Sequence, residues 1–165
     1  MLSRYLMHGM IVLLATLALV SGCSRKIVRP NQVPQGPVAP FGAGQISEQE
    51  LQGVQAELRI VYFDYDKYSL SPEAQTALQY NAELLKRVPN VNVVSEGHCD
   101  ERGTSEYNLA LGERRARSVV DYLVGLGIVP NRMTTVSYGS ECPVDPAHNE
   151  AAWAKNRRVF LRVSR

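Results

Sequence analysis

Val91 to Ala116, VNVVSEGHCDERGTSEYNLALGERRA, decides the fold. Val91 to Glu96 is valine-rich and reads as a strand. Thr104 or Ser105 can cap a long helix, in which Leu109, Gly112, Ala116, Val119, Val120 and Leu123 recur on one stripe. The polar loop GHCDERG joins the two. A strand that passes through a short loop into a helix is half of a crossover unit, so the class is α/β.

The flanking sequence repeats the alternation. Leu58 to Phe63 alternates as a first strand should, and Ser71-Pro72-Glu73 combines a cap, a first-turn proline and an acid at the positive end of a helix. Ala74, Ala77, Leu78, Leu84, Leu85 and Val88 continue that helix until Pro89 stops it. After the central helix, Gly127, Ile128 and Pro130 form a stop signal. Met133 to Tyr138 reads as a strand, Glu150 to Lys155 as a short helix and Arg157 to Val163 as a last strand. The predicted order is strand, helix, strand, helix, strand, short helix, strand, with the helices packed on a mixed four-stranded sheet.

The N-terminal third is of another kind. Arg4 precedes an apolar run from Met10 to Val20, too short to span a bilayer, which needs roughly 20 residues. Residues 1–22 therefore read as a signal peptide. Val20-Ser21-Gly22-Cys23 resembles a bacterial lipobox, which implies lipidation of Cys23 and anchoring in a membrane. Ser24 implies, by the same resemblance, the outer membrane. Residues 23–56 are the lipidated terminus and a tether, on the prolines and glycines between Ser24 and Gly44. Ser47 and Glu50 have capping-box spacing and predict a short helix before the domain proper, residues 57–165. The formal charge of +2 and the absence of a basic run interleaved with aromatics speak against nucleic acid as a partner.

The loop holds residue types that invite an enzymatic or metal reading. Neither fits the spacing. In an extended chain His98 and Cys99 point to opposite faces, whereas a nucleophile and its base must meet. His98, Cys99, Cys142 and His148 suit zinc chemically but form no C-x-x-C or closely spaced histidine pair. Asp100 and Arg115 are a better pair. Asp100 follows the carboxyl end of a strand, where open α/β sheets bind ligands. Arg115 falls roughly 90° from the centre of the apolar stripe, at the edge of the buried face, with Leu111 one turn earlier. Two readings stay open: the two charges form an internal salt bridge, or they are held apart to grip a carboxylate at Arg115 and an ammonium at Asp100. Gly103 would let backbone amides approach such a ligand.

Four separated segments, VYFDYDKYSLS, EGHCDERGTSEYNLALGERRA, VSYGSECP and KNRRV, resemble the OmpA-like peptidoglycan-binding domain, and its lipid-anchored members that act with Tol proteins. The likeness runs from about Leu58 to the C-terminus. It implies a non-catalytic domain without a cofactor, in the periplasm, whose ligand is the diaminopimelate side chain of peptidoglycan. It implies TolB and other Tol proteins as partners, and a role in joining outer membrane to cell wall that supports envelope integrity and division. Matched residue by residue, Asp100, Arg115 and Leu111 form the ligand site, Phe63 and Asp64 wall it, and Arg102 and Gly103 complete its loop. Arg157 and Arg158 match a structural pair, with Arg158 expected to tie the last strand to the Asp100 loop. Cys99 and Cys142 follow strands whose ends can share an edge, so a disulfide between them is one expectation. Another OmpA-like role in adhesion or secretion, and an enzyme built on His98 and Cys99, remain as alternatives.

Overall fold

The computed structural model describes residues 46–165; the expected signal peptide, Cys23 and the Pro/Gly-rich segment up to residue 45 lie outside the described residues. The elements are α1 (Glu48–Glu57), β1 (Val61–Tyr62), α2 (Pro72–Arg87), β2 (Asn92–His98), α3 (Ser105–Gly125), β3 (Met133–Gly139), α4 (Glu150–Asn156) and β4 (Arg158–Ser164), with a 3₁₀ turn at Pro130–Arg132. The four strands form one sheet in the order β1-β4-β2-β3. β2 and β3 are parallel, joined by α3, while β4 runs antiparallel to both its neighbours. The last strand therefore fills the middle of the sheet, and the sheet is mixed, as the order of elements predicts.

Local signals set the helix ends. Ser71 Oγ accepts from the Ala74 amide with Pro72 in the first turn. Thr104 caps α3 through the Tyr107 amide. At the far end of α3, Gly127 takes φ 96°, the Ile128 amide reaches back to the Leu123 carbonyl, and Ile128 is buried, which is a Schellman ending. One face of the sheet, with Val61, Val93, Val159 and Leu161, closes a core with Leu78 and Leu85 of α2 and Val119 and Leu123 of α3.

Three features differ from the sequence reading. The first strand is two residues long, not Leu58 to Phe63, because the buried Asn81 side chain takes both backbone groups of Arg59, accepting from its N–H and donating to its carbonyl. Beyond that short strand the free edge of β4 is satisfied by Gln55, whose side chain donates to the Leu161 carbonyl and accepts from the Val163 amide. Helix α1 thus belongs with the sheet, ahead of the boundary expected at residue 57. Third, Leu109 is 42% exposed, and the inner row of α3 is Asn108, Leu111, Gly112, Arg115, Ala116 and Val119. The buried face is rotated toward Arg115, which is not at its edge.

The rotation follows from a close approach. A Cβ on Gly97 of β2 would lie 1.9 Å from the Gly112 carbonyl oxygen of α3, so only two glycines let helix and strand meet there. We expect Gly97→Ala to cost about 3 kcal/mol of unfolding free energy. Gly53, in α1, has open space around it. Gly53→Ala should gain about 0.5–1 kcal/mol through helix propensity, and urea titrations of the two variants should shift in opposite directions.

Candidate functional site

A cavity of about 220 Å³ opens where the end of β2 and the start of α3 face the turn after β1. Of the residues expected at a ligand site, Asp100, Arg102, Gly103, Leu111 and Arg115 line it. Phe63 and Asp64 do not. They line a second cleft of about 600 Å³ on the other side of the same turn. The wall they were expected to supply is built instead by Tyr65 and Asp66. Asp66 has φ 54°, a left-handed conformation that aspartate tolerates better than most residues, and of the two aspartates of the turn it is the one that lines the cavity. Asp66 accepts a hydrogen bond from the Tyr107 hydroxyl, which pushes the tyrosine pKa up.

Arg115 is 1% exposed and forms no salt bridge with Asp100. Its guanidinium is solvated by backbone: Nε donates to the Lys67 carbonyl at 2.8 Å, one Nη to the His98 carbonyl at 2.9 Å, and the other to the Asp64 carbonyl at 3.0 Å. Cys99 Sγ accepts a fourth bond at 3.4 Å, and the Phe63 ring lies 5.2 Å away. An arginine has five N–H donors, so one is left over, on the nitrogen that holds Asp64. The bidentate grip expected of Arg115 is therefore reduced to a single free donor beside a full positive charge.

Asp100, 4% exposed, is held by other arginines. Arg102 clasps it with Nε at 3.1 Å, Nη at 2.7 Å and its own backbone amide at 3.1 Å, and Arg157 adds Nη at 3.3 Å. Burial pushes this carboxyl up, but the bonds from Arg102 and Arg157 outweigh it and hold Asp100 below the usual value. It is ionised at neutral pH. Arg157, not Arg158, ties the last strand to this loop: it also donates to the Phe63 carbonyl and Glu150, whereas Arg158 reaches the Cys142 carbonyl. Arg102 is itself stacked between the rings of Tyr65 and Trp153, with centroids 4.0 and 4.2 Å from its central carbon.

His98 and Cys99 take no part together. The Cys99 thiol donates to the Asn108 carbonyl under α3, and its pKa is raised chiefly by burial, the reverse of an activated nucleophile. His98 stacks on Tyr138 at 5.3 Å, and its Nδ1 is buried without a partner. The expected disulfide is absent: both thiols are free, Cys99 turned inward and Cys142 exposed on the β3–α4 loop. Among the described residues no three of His, Cys, Asp and Glu converge on a metal-sized point, and His148 pairs with Glu101 at the surface.

The model of the OmpA family matches residues 62–157, which hold every side chain named in the cavity. The chain belongs to the OmpA family. Proteins named peptidoglycan-associated lipoprotein are among its relatives. That of Pseudomonas aeruginosa is 48% identical over 129 residues, covering 76% of each chain, and that of Rhizobium meliloti 45% identical over 150 residues, covering 91% of this chain and 84% of the relative. The crystal structure of the peptidoglycan-associated lipoprotein from Burkholderia pseudomallei superposes with a TM-score of 0.62 at 48% identity, over 64% of this chain and 90% of that one. The C-terminal domain of Helicobacter pylori MotB shares the fold, at TM-score 0.61 and 23% identity, over 65% and 84%. Within the OmpA family segment, Asp66, Tyr65, Tyr107 and Asn108 are the cavity residues that sequence reasoning passed over; the pair of aspartates in FDYD was the available signal.

Burial, with the Arg158 charge adding to it, pushes His98 down to about 4 from an ordinary 6.5. A depressed folded pKa contributes stability that is complete above pH 6.5 and is lost as pH falls from there through about 4. Asp100 acts in a lower window, below its ordinary 3.8. Urea midpoints should fall between pH 7 and 4.5 in the parent chain and fall markedly less in His98→Phe.

Proposed function

We propose that this chain binds peptidoglycan without making or breaking a bond, seating the zwitterionic end of a diaminopimelate side chain in the cavity between Asp100 and Arg115. The observation that carries the reading is the cavity's balanced charge: Asp66 and Asp100 against Arg102 and Arg115, in a space that suits an amino-acid end group. Arg115 receives the ligand carboxylate with its remaining N–H and its full charge. Asp100 already accepts four hydrogen bonds, about what a carboxylate can take, so it sets the potential and anchors Arg102. Asp66 is the nearer acceptor for the ammonium, sharing it with the Tyr107 hydroxyl oxygen.

The Cys99 thiol, bonded to the Asn108 carbonyl, and the buried His98, stacked on Tyr138, do not meet, which favours this binding role over an enzyme. We place the chain in the outer membrane, held by lipid on Cys23 with its domain in the periplasm, where it links membrane and cell wall in the Tol-Pal system. TolB and other Tol proteins are the partners that the family likeness supports. None of the helices of the described residues is long and apolar enough to cross a membrane.

Sedimentation of the full chain with purified sacculi tests the site. Asp100→Ala, Arg115→Ala and Asp66→Asn should each weaken binding about tenfold, a loss of about 1.4 kcal/mol of binding free energy. Near-UV circular dichroism separates lost binding from lost folding, and free diaminopimelate should release the parent chain. Undiminished sedimentation of all three folded variants would overturn the assignment.

A further inference from the structure

The larger cleft, about 600 Å³, has no role in the reading above. It shares a wall with the first cavity, the turn Phe63 to Lys67. That wall is pinned from both sides: Arg157 Nε donates to the Phe63 carbonyl at 3.0 Å, and Arg115 holds the Asp64 and Lys67 carbonyls. A ligand seated in the first cavity therefore meets the second by crossing a fixed crest, where Tyr65 stands more than half exposed.

The two spaces differ in charge. The first carries two cations and two carboxylates, which suits a zwitterion. The second is lined by Lys67, Lys155 and Arg157 against the single carboxylate of Asp64, so it is cationic. Lys67 is paired with Asp64 and Lys155 with Asp145, but both lysines lie mostly in solvent, and exposed pairs of this kind contribute little. They can turn to a new anion at small cost. Ser69 and Ser71 add hydroxyls to the same lining.

We propose that this cleft is an anion subsite for the same ligand molecule, taking a free carboxylate on the residue that adjoins the diamino acid in an acidic, γ-glutamyl-linked peptide. The assignment rests on the zwitterion reading of the first cavity. It adds that recognition extends past the end group and depends on the charge of the neighbouring residue. Lys67 and Lys155 receive that carboxylate; Arg157, whose donors are engaged by Phe63, Asp100 and Glu150, forms the floor beneath them and takes no direct part.

Three probes on the full chain decide it by calorimetry at low salt: diaminopimelate, γ-glutamyl-diaminopimelate with a free α-carboxylate, and the same dipeptide with that carboxylate amidated. The acid dipeptide should bind about tenfold more tightly than the amide, and the advantage should shrink as salt is raised. In the double variant Lys67→Gln/Lys155→Gln the two dipeptides should bind alike, while diaminopimelate is held within about twofold, because Lys67 serves the first cavity only through its backbone carbonyl. Equal binding of acid and amide by the parent chain overturns the anion subsite and leaves the first cavity standing. A tenfold preference that survives in the double variant overturns the role of the lysines. Failure of all three probes to bind overturns the zwitterion reading, and this subsite with it.

Discussion

One buried guanidinium holds the binding end of the molecule together. Arg115 projects from α3 between two segments that are far apart in sequence, the turn at Asp64–Lys67 and the end of β2 at His98, and bonds the carbonyls of both. Burying a charge costs several kcal/mol unless polar groups replace the lost water. Three carbonyl oxygens and a sulfur replace it here. The consequence is that the turn, the strand end and the helix cannot move independently, so the cavity between them is formed before any ligand arrives and little ordering cost is left to binding.

That arrangement depends on a contact with no polar chemistry at all. Gly97 and Gly112 let β2 and α3 meet backbone to backbone, one turn of helix before Arg115. Any side chain at either position would lift α3 off the strand and carry the guanidinium away from its carbonyls. Ser95, two residues along β2, donates to the Ala116 carbonyl and fixes the same approach from the other side of Arg115. Fold and site are thus two descriptions of one packing arrangement.

What was legible in the sequence is what local chemistry decides. The caps at Ser71 and Thr104, the Gly127–Ile128 ending and the order of strands and helices are settled by neighbours along the chain. The residues that proved misleading are those whose environment is supplied from elsewhere. Leu109 is apolar and has helical spacing, yet the glycine contact rotates α3 so that Arg115 is buried in place of it. Leu58 to Phe63 has strand residues, yet Asn81 takes the backbone groups of Arg59 that a longer strand would need. Asp64 and Asp66 are chemically the same, yet Asp66, in a left-handed conformation, lines the small cavity and Asp64 lines the cleft.

The partners of the two central charges are also unequal, and this bears on where each half of a zwitterion would be received. Asp100 is bonded to two arginines, so its formal charge is already compensated inside the protein. Arg115 is bonded to neutral carbonyls and a thiol, which solvate the cation without cancelling it. At a few ångströms, with an effective dielectric near 20, an uncancelled unit charge is worth about 4 kcal/mol to an anion, against far less for a cation approaching a carboxylate that an arginine already neutralises. In the proposed binding mode Arg115 therefore offers the ligand carboxylate an uncancelled charge, whereas Asp100 offers the ammonium little, which leaves that role to Asp66, bonded to the neutral Tyr107 hydroxyl.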